Sequence, residues 1–169
     1  MIIRKTAAEL QKMRRSGLLV WQILQEMEKM AGEGVSTLDL EVAAERMMKD
    51  AGARPAFKGY YVPAAGDTFR FVLCTSVNDE IVHGMPSAKR VLKKGDIVSI
   101  DTGVQLDGYY GDSATTVAIG EVGEQTRKLM RLPALACWIA NSSDSWVTRI
   151  SLRVCSPTSP IATVVAESP

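Results

Sequence analysis

Two aspartates interrupt the most strand-like sequence in the chain. Ile97-Val98-Ser99-Ile100-Asp101-Thr102-Gly103-Val104 is apolar and β-branched, and a second strand-like run, Tyr109 to Ile119, follows after Asp107-Gly108. Asp-Gly between two such runs signals a two-residue hairpin. With that turn, Leu106 faces Tyr109, Gly103 faces Asp112 and Asp101 faces Ala114. Side chains alternate between the faces of a strand, so Asp101 and Asp112 share one face as diagonal neighbours, with Cα atoms about 7–8 Å apart. A bulge at Gly108 or Gly111 would shift this register.

Carboxylates are seldom buried unless they are paired or bind a metal. Two that face one another repel, and one tends to keep its proton. A shared divalent cation removes that cost. Oxygen donors suit Mg, Mn, Ca and Fe(II), and an added imidazole turns the choice toward Fe, Co, Mn or Zn. The plainer alternative is that each aspartate caps a turn or meets water at a sheet edge. His83, the single histidine, precedes the hairpin in His83-Gly84-Met85-Pro86. It is either a satisfied polar residue near a turn or a catalytic group. Cys74, inside Phe71-Val72-Leu73-Cys74-Thr75-Ser76-Val77, reads most simply as a small buried apolar residue.

The chain before these strands is helical. Thr6-Ala7-Ala8-Glu9 and Ser36-Thr37-Leu38-Asp39 both have the form of a capping box. Behind the first, Leu10, Met13, Gly17, Val20, Trp21, Leu24, Met27 and Ala31 recur at helical spacing up to about Gly32. Behind the second, Leu40, Ala43, Ala44, Met47 and Ala51 share a face that ends at Gly52, a natural helix C′ residue. The methionine and tryptophan stripe of the first helix reads as a core face rather than a partner surface. Pro55 to Tyr61 is an aromatic loop, Pro63 to Asp67 a turn, Phe69 to Val77 β-rich, Asn78-Asp79 a turn, and Lys89 to Asp96 a polar connection.

The four motifs together say more than each alone. Pro55-Ala56-Phe57-Lys58-Gly59-Tyr60, Cys74-Thr75-Ser76-Val77-Asn78-Asp79-Glu80-Ile81-Val82-His83-Gly84-Met85-Pro86, Gly95-Asp96-Ile97-Val98-Ser99-Ile100-Asp101 and Asp107-Gly108-Tyr109-Tyr110-Gly111-Asp112-Ser113-Ala114-Thr115 resemble bacterial type I methionine aminopeptidases, in that family's order and spacing. The resemblance runs from the first helix to about Met130. It implies an α+β chain, the N-terminal half of a pita-bread fold, with two helices packed on a curved antiparallel sheet. It implies removal of the initiator methionine from new proteins by metal-activated water. In the family, two divalent metals are held by two Asp, one His and two Glu, and Co, Fe, Mn, Zn and Ni are not distinguished by sequence. The family aspartates map onto Asp101 and Asp112. The family histidine that contacts substrate maps onto His83. Phe57, Tyr60 and Cys74 look like its pocket for the methionine side chain. The implied partners are the N-terminal peptide of a nascent protein and, through it, the ribosome.

Composition adds exclusions. A formal net charge of +1 with 46% hydrophobic and 23% charged residues gives no electrostatic case for nucleic acid or an anionic membrane. No apolar run is long enough to span a bilayer. With no secretory-signal pattern at Met1 and three widely spaced cysteines (Cys74, Cys137 and Cys155), the expected compartment is the cytoplasm.

The sequence changes character at about Arg131. All 13 glycines lie at or before Gly123, every lysine at or before Lys128, and the only acids after Glu124 are Asp144 and Glu167. The two expected units are therefore 1–130, the methionine aminopeptidase half, and 131–169, an unrelated tail. The family's remaining histidines and both glutamate ligands fall beyond this change, so this sequence supplies at most two of five ligands and is expected to be inactive alone. The alternative is a non-catalytic, truncated or peptide-binding product. A half-fold is also expected to self-associate through the surface its other half would cover. The tail reads as an out-of-frame translation. Coding DNA downstream of codon 130, read in its other two frames, should give family-like sequence with the missing His and Glu, and two unrelated frames would contradict this.

Overall fold

The computed structural model describes residues 4–63 and 66–130. Helix α1 (Ala7–Met30) starts at the Thr6–Glu9 capping box and α2 (Thr37–Asp50) at the Ser36–Asp39 box, each with both reciprocal hydrogen bonds in place. Gly52 takes φ 66° just past α2, as a C′ glycine should. Six strands follow: β1 (Arg54–Pro55), β2 (Tyr61–Val62), β3 (Asp67–Thr68), β4 (Leu73–Val77), β5 (Ile97–Leu106) and β6 (Tyr109–Ala118).

The main sheet is antiparallel and centred on β5. Strand β6 pairs along the whole of one β5 edge. Strands β4 and β1 share the other, at residues 98–102 and 104–105 of β5. The register is the one the Asp-Gly turn predicts, Leu106 to Tyr109, Gly103 to Asp112 and Asp101 to Ala114. No bulge breaks it. Asp107 and Gly108 both take positive φ, as a tight hairpin turn requires. Strands β2 and β3 form a separate two-stranded hairpin.

Both helices lie on one face of the sheet, α1 across β5 and β6 and α2 against β1 and β4. Val98, Ile100, Thr102 and Val104 of β5 point to that face and are buried, with Leu73 and Val77 of β4. They meet Leu19, Val20, Ile23, Leu24 and Met27 of α1 and Leu40, Ala44 and Met48 of α2. The buried α1 stripe therefore includes Ser16, Leu19 and Ile23, which the periodic reading missed, while Trp21 and Leu10 are only partly buried. The contact stripe of α1 thus follows what it packs against, β5, β6 and α2, rather than the apolar spacing alone. The β-rich Phe69–Val77 run forms strand only from Leu73, because Phe69 to Phe71 turn away from the sheet toward a cavity. The tail from residue 131, with Cys137, Trp138, Trp146 and Cys155, lies outside the described residues.

Two glycines fix distances that matter below. A Cβ on Gly111 would meet the Ser16–Gly17 backbone at 2.8 Å. Gly111 is thus the point where α1 touches the hairpin, not a bulge. Ser16 completes the contact, its hydroxyl donating to the carbonyls of Tyr109 (2.8 Å) and Leu106 (3.3 Å). A Cβ on Gly84 would lie 2.2 Å from the Thr75 carbonyl oxygen. Gly84 instead runs against β4, accepting from the Thr75 N–H (2.8 Å) and donating to the Ser76 hydroxyl (3.2 Å). Gly84→Ala should therefore cost about 1–3 kcal/mol, read as a lower denaturation midpoint with unchanged slope. An unchanged midpoint would show that the segment is free to move off β4.

Candidate active site

The sheet face away from the helices is covered at β4 and Gly103 and open along β6. Alternation places Cys74 and Ser76 of β4, Ser99, Asp101 and Gly103 of β5, and Asp112, Ala114 and Thr116 of β6 on it. Most of these side chains are small or polar, and Ser99 and Thr116 hydrogen-bond across the strands at 2.9 Å. Tyr110 (61% exposed), opposite Gln105, is the large exposed side chain of this face, and other large exposed apolar residues lie off the main sheet, among them Ile81 (88%), Val82 (67%), Met85, Tyr60 and Tyr61.

At one end of this face is a cavity of about 890 Å³. All six residues singled out in the sequence line it: Phe57, Tyr60, Cys74, His83, Asp101 and Asp112. The sheet supplies the floor. Cys74 is directly opposite Asp101, and Asp112 is one diagonal step away on β6. Gly103 leaves room for Phe57, whose ring atom Cε1 would be 3.1 Å from a Cβ there. His83 reaches the cavity from the other side of β4. Its φ of 58° is unusual for a non-glycine residue, and the adjacent Gly84 contacts hold it there. Sparsely populated backbone of this kind persists where the surroundings over-determine it.

The sequence reading missed several lining residues: Val62, Phe69, Phe71 and Met85, and the Asp67–Arg70 ion pair at the rim. Phe69 and Phe71 stack edge to face at 5.9 Å. Their alternation in Phe69-Arg70-Phe71 looked like strand sequence, but the same period of two also serves an extended loop that lines a pocket. It also missed Glu41 of α2, which is buried and accepts the N–H groups of Val72 (2.7 Å) and Leu73 (2.9 Å). The available signal was an acid next to Leu40 on the apolar face of its helix.

The electrostatics of the floor follow from its geometry. Burial pushes the Asp101 carboxyl above its ordinary value, Asp112 adds to this, and His83 and the Thr102 amide oppose it. Asp112 is open to solvent in the cleft, yet the walls remove enough of its hydration to raise its carboxyl as well. Burial, then Asp101, Glu41 and Asp112, pushes the Cys74 thiol up to about 11, so it is protonated and apolar in character. Neither Asp101 nor Asp112 joins an ion pair among the described residues. Converging, unpaired carboxylates are oxygen donors of the kind a divalent cation takes. They fit as one side of such a shell. Among the described residues no three His, Cys, Asp or Glu side chains come together to close one.

A consequence for stability follows. Asp101 has its folded value raised above the ordinary 3.8. Its favourable contribution is present below the unfolded value and is lost as pH rises through the folded one. In the presence of EDTA, Asp101→Asn should therefore raise the melting temperature at pH 7 by a few degrees, and the gain should shrink toward pH 4. A lower melting temperature at pH 7 would mean that the carboxylate is paired in the metal-free fold.

The model of metallopeptidase family M24 matches residues 11–138. The chain is 46% identical over 132 residues to a methionine aminopeptidase of Clostridium acetobutylicum, covering 78% of this chain and 50% of that protein. It is also 46% identical to methionine aminopeptidase 1 of Bacillus subtilis, with the same coverage. The crystal structure of a methionine aminopeptidase from Thermotoga maritima superposes with a TM-score of 0.75 at 38% identity, over 83% of this chain and 54% of that one. The chain spans about half the length of the curated relatives it matches. Among the described residues no helix is long and apolar enough to cross a membrane. The chain is a mixed α+β member of metallopeptidase family M24.

Proposed function

We propose that this chain carries the substrate-side half of a methionine aminopeptidase. The observation that supports this best is the single cavity in which Phe57, Tyr60 and Cys74 meet Asp101, Asp112 and His83. An apolar, aromatic pocket above a pair of carboxylates suits a peptide whose first side chain is unbranched and apolar and whose terminal ammonium is cationic. The aromatic wall takes the thioether side chain, and the protonated Cys74 thiol adds a soft contact. Asp101 and Asp112 attract the ammonium. His83, which lines the same cavity, would donate to or accept from the scissile peptide group.

A divalent metal, when bound, would polarise the scissile carbonyl and lower the pKa of the attacking water. Asp101 and Asp112 are the residues of this chain that would hold it. The family's activity calls for two such ions and further ligands, so this 169-residue sequence binds the peptide terminus without cleaving it. The change in composition at Arg131 supports a functional unit of about 1–130 followed by a different tail, with the family match itself running on to residue 138. The natural setting is a cytoplasmic one, on peptide emerging from the ribosome. The exposed Ile81, Val82 and Met85 beside the cleft support self-association of the isolated chain.

A Met-Ala-Ser peptide labelled at its C-terminus should bind the full chain, while the N-acetylated peptide should bind at least tenfold more weakly, as expected for a lost charge-assisted contact. Titration with Co, Mn, Fe, Zn or Ni should release no methionine. Release of methionine would overturn the claim of inactivity, and binding indifferent to acetylation would overturn the pocket assignment.

A further inference from the structure

The cavity has two kinds of wall. The floor belongs to the main sheet. The facing wall is formed by residues 57–63 and 66–71, which include the paired strands β2 and β3 and lie outside that sheet. A two-stranded hairpin is marginal by itself, so this wall depends on how its ends are held.

Both ends are held by one helix. At the entry, Lys58 forms an ion pair with Glu45. At the exit, the Glu41 carboxylate takes the Val72 N–H on Oε1 and the Leu73 N–H on Oε2. Glu41 and Glu45 are four residues apart on α2, and so stand one above the other on the same face. The exit is tied a second time, because the Thr102 hydroxyl donates to the Val72 carbonyl at 3.1 Å, next to Asp101 on β5. Between the ends, the segment is closed on itself: Gly59 N–H donates to the Phe69 carbonyl (2.7 Å) and Phe69 N–H to the Tyr60 carbonyl (2.8 Å).

Glu41 is 4% exposed, between Leu40 and Ala44. A carboxylate is an expensive residue at such a position unless its oxygens are satisfied. Here both oxygens are, by the two amides that lead into Cys74. Burial raises the Glu41 carboxyl, the Val72 and Leu73 amides oppose this, Glu45 adds to it and Lys58 opposes it again. The cost of burial therefore goes into fixing one junction, the one between the aromatic wall and the strand that carries Cys74.

We infer that Glu41, assisted by Glu45, is a positioning residue for the first-residue pocket, setting the separation between the aromatic wall and the sheet floor. Glu41 touches no substrate and is not a catalytic residue. The inference rests on the proposed reading that this cavity takes an N-terminal side chain, and it adds which residues outside the cavity determine its width. Glu45 lies on the exposed side of the clamp and contributes less.

The test uses the full chain in EDTA, with Glu41→Gln, Glu41→Asp and Glu45→Gln, and Ile23→Val as a control that loosens the core away from the cavity. The first readout is the ratio of dissociation constants for Met-Ala-Ser and Ala-Ala-Ser peptides. Glu41→Gln should narrow the preference for Met about tenfold, the worth of a charge-assisted hydrogen bond, and Glu41→Asp should restore part of it. If both peptides weaken by the same factor, Glu41 is merely structural and the inference is overturned. The second readout is the alkylation rate of Cys74, located by peptide mapping and measured well below the melting temperature. Glu41→Gln should accelerate it several-fold beyond Ile23→Val, and equal rates would overturn the clamp. Wild-type chain that does not discriminate Met from Ala would sink the proposed function, and the thiol rate would still decide whether Glu41 holds the wall.

Discussion

The approach of α1 to the β5–β6 hairpin at Gly111 is the contact on which the rest depends. A side chain at Gly111 would run into the Ser16–Gly17 backbone. With glycine there, the Ser16 hydroxyl reaches the two carbonyls flanking the Asp107-Gly108 turn. The helix thus grips the hairpin at its turn end and packs along the rest of its covered face. Further ties at the same end, between Arg15 and Asp107 and between Glu9 and the Tyr109 hydroxyl, are exposed and weaker. Because one face of the hairpin is committed to the helix, a one-residue slip would turn every side chain over. Asp101 and Asp112 are on the face away from the helices because Ile100, Thr102 and Gly111 are on the helix face.

That arrangement explains how a fold can carry a cost at its centre. The converging carboxylates, with no lysine or arginine partner among the described residues, weaken the metal-free sheet. They are tolerated because the register is set from the other face. Sites that bind cations or substrates commonly store destabilisation of this kind. The buried Glu41 is the opposite case, a carboxylate whose oxygens are satisfied and whose burial orders a loop.

Much of this was legible in the sequence. Two capping boxes, the Asp-Gly turn and period-two alternation are local signals, and each of them reports local geometry. They gave both helix starts, the hairpin register and the shared face of Asp101 and Asp112. The motif resemblance then brought Phe57, Tyr60, Cys74 and His83 to one cavity. What was hidden depends on contacts distant in sequence. The true buried stripe of α1 depends on its contacts with β5, β6 and α2. The need for glycine at 111 was hidden because the backbone it makes room for lies at Ser16–Gly17. Glu41 was not singled out, because its amide partners are at Val72 and Leu73. Phe69 and Phe71 looked like strand because an extended loop lining a pocket has the same alternation.

We propose that Asp101 and Asp112, which have no lysine or arginine partner among the described residues, form a pair that receives a cation. Thermal melts of the chain and of the Asp101→Asn/Asp112→Asn double variant, with and without millimolar Mn²⁺, test it most directly. A ligand that binds only the folded state raises its melting temperature. The pair predicts that Mn²⁺ raises the melting temperature of the parent chain and leaves the double variant unchanged. Equal shifts in both proteins, or none in the parent, would contradict it.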